Sequence, residues 1–349
     1  MKKTVFVSAA AVTTLLAVVG CGTSPSANTA STSNSGNGTA TSSSSGSLPS
    51  VKVAYMPDIH GAAPIVIGQQ EGFFKQAGID VQPVKFTSGP PEIDAMASGQ
   101  IDIAYIGPGA MFLAAKGKTN VIAIDSLNVG DMLLARPNSG INNLQDLKGK
   151  TIGVPKGTSG EMILDLALKK AGLTSSDVKI VNMDVSSAIS AFVSGHIDAV
   201  ALWNPYTAQI QQQVSGTKVL ATDKNFMPQY SFPQMWTVNP AFEKNHPQLV
   251  QKFIDALAKS NDWRMQHIDQ AVTMTAQYTN APASALKSQA GTTQWLSSAD
   301  IKKDFQDGTV DTWLGNLENL FVKTGQLSSV VPAKNFVDAQ FYENINTGN

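Results

Sequence analysis

Three short loops in this 349-residue chain have a composition suited to holding a small oxyanion: Thr87-Ser88-Gly89-Pro90-Pro91, Gly107-Pro108-Gly109-Ala110 and Gly157-Thr158-Ser159-Gly160. Each precedes a segment with helical patterning, beginning at Glu92, Met111 and Glu161. The first turn of a helix leaves backbone N–H groups unpaired at the positive end of the macrodipole, so an anion can be held there without a charged side chain. Ser, Thr and Gly also cap helices in any protein. Each loop alone is therefore better read as a cap, and three in equivalent strand-to-helix positions bring a ligand-binding reading level with capping. The candidate contacts are Ser88, Gly89, Pro108, Gly109, Thr158 and Ser159, joined by Asp58 and His60 in an earlier loop, Trp203 and Asn204 in a later one, and Gln234. Trp203 offers a flat apolar face, though a buried core ring is an equal reading, and Asn204 offers both a donor and an acceptor.

Catalysis finds little support in the residue types. The four histidines, His60, His196, His246 and His267, are scattered without the close spacing of zinc ligands. Gly157-Thr158-Ser159-Gly160 lacks the Gly-x-Ser-x-Gly elbow, and Gly107-Pro108-Gly109 lacks the third glycine of a dinucleotide loop. No cofactor is implied. Lys+Arg 25 against Asp+Glu 26, with no basic cluster, argues against a nucleic-acid partner.

The elements that must position these loops show as a weak internal repeat. Glu92 to Pro108 contains Ser98-Gly-Gln-Ile-Asp102, and Ala188 to Pro205 contains Ser194-Gly-His-Ile-Asp198. Both read as helix, Ser-Gly-x-Ile-Asp, strand and Pro-containing loop. Upstream, Gln76-Ala-Gly78-Ile79 matches Lys170-Ala-Gly172-Leu173 at nearly equal spacing, and each copy opens on a short apolar strand, from Val51 and from Thr151. Strands alternating with helices predict two α/β lobes with mostly parallel sheets, whose carboxyl edges face each other across a cleft. After the second copy, apolar spacing predicts a helix from Pro240 to about Lys259. A second is expected from a Ser298 N-cap through Phe305, and a third from Val310 through Phe321 to Gly325. Trp263, Trp295 and Trp313 read as core.

The N-terminus has the form of a secretory leader. Lys2 and Lys3 precede an apolar run from Val5 to Val19, too short to span a bilayer comfortably. Val18-Val19-Gly20-Cys21 resembles a bacterial lipobox, and Cys21 is the chain's one cysteine. The expected organisation is a lipoprotein signal peptide over 1–20, then a lipidated Cys21 and a Ser/Thr/Gly-rich tether over 21–50, on the extracytoplasmic face of the cell membrane.

The body, from Val51 to Phe341, resembles the binding proteins of taurine, alkanesulfonate and nitrate ABC importers. The resemblance is carried by Phe86-Thr-Ser-Gly89, Ala97 to Gly107, Leu144 to Pro155, Ser194 to Asp198 with Trp203-Asn-Pro205, and Phe242 to Pro247. It implies an α/β, two-lobed type II periplasmic binding protein fold, with a ligand cleft between lobes of mostly parallel sheet flanked by helices. Lobe I would be 51–135 plus 237–349 and lobe II 136–236, joined by crossing segments near Met132–Pro137 and Gln234–Asn239. The implied partners are a small, sulfonate-like anion and the permease and ATPase subunits of an importer. Two departures matter: Pro108-Gly109 stands where such proteins tend to have hydroxyls, and neutral Gln234 where an acidic residue would pair with an ammonium. The second counts against taurine. Enzymes of thiamine-pyrimidine synthesis share the resemblance, but their cysteine-rich iron motif is missing after Cys21. Binding of a thiamine precursor and a sensor role are the remaining alternatives.

Overall fold

The structure, a computed structural model, describes residues 47–346. The leader, Cys21 and most of the tether lie outside the described residues. The first strand begins one residue earlier than the expected start of the body, at Ser50.

The first half of the chain builds β1 (Ser50–Tyr55), α1 (Ala62–Gln70), α2 (Phe73–Gln76), β2 (Asp80–Lys85), α3 (Gly89–Ala97), β3 (Ile103–Ile106), α4 (Phe112–Ala115) and β4 (Asn120–Asn128). Then follow β5 (Asp131–Ala135), β6 (Thr151–Val154), α5 (Ser159–Ala171), β7 (Lys179–Asn182), α6 (Val185–Ser194), β8 (Ala199–Trp203), α7 (Tyr206–Gln213) and β9 (Lys218–Thr222). The remainder is β10 (Pro233–Val238), α8 (Pro240–Asn245), α9 (Pro247–Gln266), α10 (Ile268–Thr279), α11 (Ala283–Gly291), β11 (Thr293–Trp295), α12 (Ser298–Gln306), α13 (Thr309–Thr324) and α14 (Gln340–Glu343).

The strands form two sheets, ordered β2-β1-β3-β10-β4-β11 and β7-β6-β8-β5-β9. The repeat is thus real in space: β2-β1-β3 and β7-β6-β8 are equivalent parallel triplets. Its signature residues do the same work in both copies. Asp102 accepts from the Lys52 amide at 2.8 Å, and Asp198 from the Thr151 amide at 2.9 Å, each tying the third strand to the start of the first. Gly172 and Gly195 end α5 and α6 with φ of +72° and +85°, a conformation that costs side-chain-bearing residues strain. Gly78 and Gly99 hold the matching places.

The rest of each sheet is antiparallel, so the sheets are mixed where mostly parallel ones were expected. The reason is the crossing of the chain. β10 joins the first sheet beside β3 only after the second sheet is complete, and β5 joins the second beside β8 before β6 exists. The passages between sheets therefore fall at 129–130 and 223–232, a few residues before the expected Met132–Pro137 and Gln234–Asn239, which are largely strand. Central β3 and β8 are buried throughout, as strands covered on both faces must be, while Pro83 sits on edge strand β2, where a missing N–H is tolerated.

The C-terminal third is mainly helical, as its spacing predicts. α9 packs on α1 and α2, α10 on α1, and α14 on β4. The helix expected to run on from Pro240 is broken at His246, since Pro247 opens a new one. α12 is capped by Ser297, not Ser298: Ser297 and Asp300 form a reciprocal capping box, while the Ser298 hydroxyl donates to Asp262. α13 stops at Gly325, as expected. Trp263, Trp295 and Trp313 are half-buried at the margins of the core.

Candidate functional site

Where the two sheets face each other, Asp58, His60, Gly89, Tyr105, Asn128, Asp131, Thr158, Ser159, Trp203, Gln234 and Gln289 surround a cavity of ≈ 20 Å³. The topology explains the convergence. Carboxyl ends of β1, β3, β4 and β8, the start of β5, and the first turns of α3 and α5 all meet at this one place.

Seven of the expected residues line this cavity: Asp58, His60, Gly89, Thr158, Ser159, Trp203 and Gln234. The other four flank it. Ser88 is the N-cap of α3. Pro108 and Gly109 form a tight turn after β3, and Gly109 lies so close to the Thr158–Ser159 peptide that an added Cβ would sit 2.0 Å from the Thr158 carbonyl carbon. Asn204 turns its side chain back to the Thr207 hydroxyl at 2.6 Å, while its carbonyl accepts from Gln289 at 3.0 Å.

Tyr105, Asn128, Asp131 and Gln289 were missed. Asn128 and Asp131 had a signal: polar residues flanking Val-Gly between two strongly apolar stretches. Gln289 had none. It reaches from α11 to accept from the Ile59 amide at 3.0 Å while donating to Asn204, so it spans from the first sheet's loop to the second sheet's.

The lining is acidic. Asp58 is buried and accepts from the His60 and Gly61 amides at 3.0 and 2.7 Å; burial raises its pKa to about 6, with His60 pulling the other way. Asp131 is fully buried, accepting from the Ser159 hydroxyl at 2.8 Å, and its own amide donates to Asp223 at 2.8 Å. Asp131 Oδ2 and Asp223 Oδ1 have no other partner among the described residues, and the two carboxyls lie within reach of each other. Burial pushes both up, and the two carboxyls titrate as a pair. Behind Asp58, Glu92 is buried; burial, then the Asp58 charge, drives its pKa well up, with the Tyr105 amide pulling the other way.

The cations stand behind this lining, none of them in it. Among the described residues, no lysine or arginine borders the cavity. Arg264, also fully buried, donates to Asp125 at 2.9 Å and to the Ile59 carbonyl at 3.0 Å, and lies 4.2 Å over the Trp295 ring. Asp125 in turn meets His60 Nδ1 at 3.2 Å, and Thr293 meets His60 Nε2 at 3.2 Å, so both nitrogens of that ring are engaged by protein. Gln234 accepts from the Tyr105 hydroxyl at 2.5 Å. Among the described residues no cluster of ligating side chains could hold a metal, and no helix is long and apolar enough to cross a membrane.

Residues 60–271 match the family model described as NMT1/THI5 like. A binding protein of Brucella abortus is 35% identical over 292 residues, covering 84% of this chain and 91% of that one. The aliphatic sulfonates-binding protein of Bacillus subtilis is 30% identical over 220 residues, 61% of this chain and 65% of the other. Among solved structures, the alkanesulfonate-binding protein SsuA from Xanthomonas axonopodis pv. citri superposes with a TM-score of 0.65 at 20% identity, over 83% of this chain and 98% of that one.

Proposed function

The chain belongs to the NMT1/THI5-like family, and from that membership we propose that it is the solute-binding lipoprotein of an ABC importer. Its fold and its relatives, which are named as binding proteins, support capture of a small solute between two lobes and delivery to the permease and ATPase subunits. The lobes correspond to the two sheets, hinged at 129–130 and 223–232, and closure about such segments is what presents a loaded protein to its permease. A lipid on Cys21 holds the body at the extracytoplasmic face through the tether. Labelling of cells with radioactive palmitate should mark the wild type and fail after Cys21→Ser; retention of label by that variant would remove the anchor.

The ligand is a solute that enters amine first. One observation carries this: Asp58 and Asp131, from opposite sheets, border a cavity that no lysine or arginine lines. A volume of ≈ 20 Å³ takes about one water-sized group, the size of an ammonium. The charge that Gln234 cannot supply thus comes from two carboxyls elsewhere in the chain, which restores amine-bearing sulfonates such as taurine to the candidates. A simple sulfonate would meet these acids with no lysine or arginine of the lining to balance them.

Calorimetry against ethylamine, taurine and ethanesulfonate separates the cases. The two amines should bind, more tightly as pH rises through 6, because Asp58 becomes charged there while the amine stays protonated. An affinity gain of at least tenfold from pH 5 to pH 8 is expected, ~1.4 kcal/mol from Asp58 alone, with the ionisation of Asp131 near pH 7 adding in the same direction. Asp131→Asn should weaken both amines at least as much. Ethanesulfonate binding that strengthens as pH falls, with no response to either amine, would reverse the assignment.

A further inference from the structure

Directly outside the small cavity lies a second compartment of ≈ 370 Å³, walled by Pro57, Val185, Pro205, Tyr206, Pro282 and Ala285, with Lys85 among its lining residues. Four chain segments run from one compartment into the other. Pro57 stands between Met56 and Asp58, Pro205 and Tyr206 follow Trp203, Thr87 precedes Gly89 by two residues, and Ala285 is one turn from Gln289 on α11. The Tyr206 and Trp203 rings meet edge to face, centroids 5.8 Å apart, at this boundary. Burial first, and then the nearby Asp58 carboxylate, push the Tyr206 phenol up to about 12, so the wall of the outer compartment feels the charge of the inner one.

The two compartments carry opposite charge. Asp58 and Asp131 are the carboxylates of the inner lining, whereas Lys85 is the one charged residue among those lining the outer. Between them the wall is prolines, alanines, a valine and an aromatic ring, with hydroxyl and amide side chains at intervals. A ligand complementary to both would carry a cation at one end, an apolar spacer and an anion at the other.

We infer that the outer compartment is a second subsite, and that the solute is a zwitterion with charges separated by an aliphatic spacer, bound with its ammonium at Asp58 and Asp131 and its anionic end at Lys85. This rests on the amine-first reading of the inner cavity. It adds a preference for length, since a spacer must pass Tyr206 to bring its far end out to Lys85.

The test is calorimetry of the purified full chain with ω-aminoalkanesulfonates of two to six carbons and with the matching n-alkylamines. Affinity for the aminosulfonates should rise at least tenfold from the shortest to the best-fitting member. Lys85→Glu should remove that gain for the sulfonates but leave the alkylamine series its own order. Gln209→Trp, which fills the compartment from an exposed position on α7, should flatten both series. Affinities independent of length, or a Lys85→Glu variant that matches wild type across the sulfonates, would overturn the second subsite while leaving the amine-first cavity standing. If no amine in either series binds, the amine-first cavity falls and the subsite with it.

Discussion

Gly109→Ala should lose at least tenfold in ligand affinity while the protein keeps its melting temperature to within a few degrees. Gly109 belongs to the turn after β3 on the first sheet, and what it touches is the backbone at the start of α5 on the second. An added methyl would lie 2.0 to 2.2 Å from Thr158 C, Thr158 O and Ser159 N. None of these is the far end of a flexible side chain, so relief requires the two sheets to separate. Each lobe can stay folded while the pair is wedged open, which is why a binding defect is expected without a matching stability defect. A binding-competent state of reduced population weakens apparent affinity by that fraction. Small-angle scattering should show a larger radius of gyration for the variant in the presence of ligand. Unchanged affinity together with an unchanged scattering curve would mean that the approach of Gly109 to Thr158 has no part in closure.

Arg264→Leu should be the most destabilising single change near the site, by about 3–5 kcal/mol, the usual cost of leaving a buried charge without its partner. Arg264 and Asp125 are both fully buried, 2.9 Å apart. Burial by itself would raise the Asp125 carboxyl, but Arg264, with help from His60, outweighs it and holds the group below its ordinary range. A carboxylate depressed in the folded state adds stability that is present above its unfolded pKa of 3.8 and disappears as pH falls through the folded value. Without Arg264 that contribution reverses. The gap between variant and wild type in urea unfolding should therefore be widest near pH 7 and narrow toward pH 4. Adding Asp125→Asn to Arg264→Leu should recover part of the loss, because it removes the orphaned charge. A gap independent of pH would show that Arg264 acts through packing on Trp295 and not through its charge.

The same network explains why His60 was legible only in part. Its place beside the cavity is consistent with the loop after the first strand. Its environment did not, because Asp125, Ser126, Thr293 and the Arg264 beyond them come from β4, β11 and α9, far away in sequence. Trp295, expected as a core ring, turns out to lie 5.3 Å from His60. Asn204 fails in the other direction: it lies next to the site, as expected, but Thr207 takes the side-chain oxygen that was to meet the ligand.

Wherever the physics is local, the amino-acid order alone determined the outcome. Glycines at Gly78, Gly99, Gly172 and Gly195 could be read as chain reversals because left-handed backbone there excludes other residues at little cost only to glycine. Ile101 and Ile197, each followed by an aspartate, marked the two strand starts, and helical spacing located α12 and α13 within a residue or so. The three Ser/Thr/Gly loops found their cleft for the same reason. The tertiary structure decided the direction of β5 and β10 and the sign of the charge inside. A nearly neutral chain can fold around an acidic or a basic cavity, depending on which side chains the crossing brings together and which it leaves behind the wall. Here it sets Asp58 opposite Asp131 and keeps Arg264 behind them, paired to Asp125, and no spacing along the chain encodes that choice.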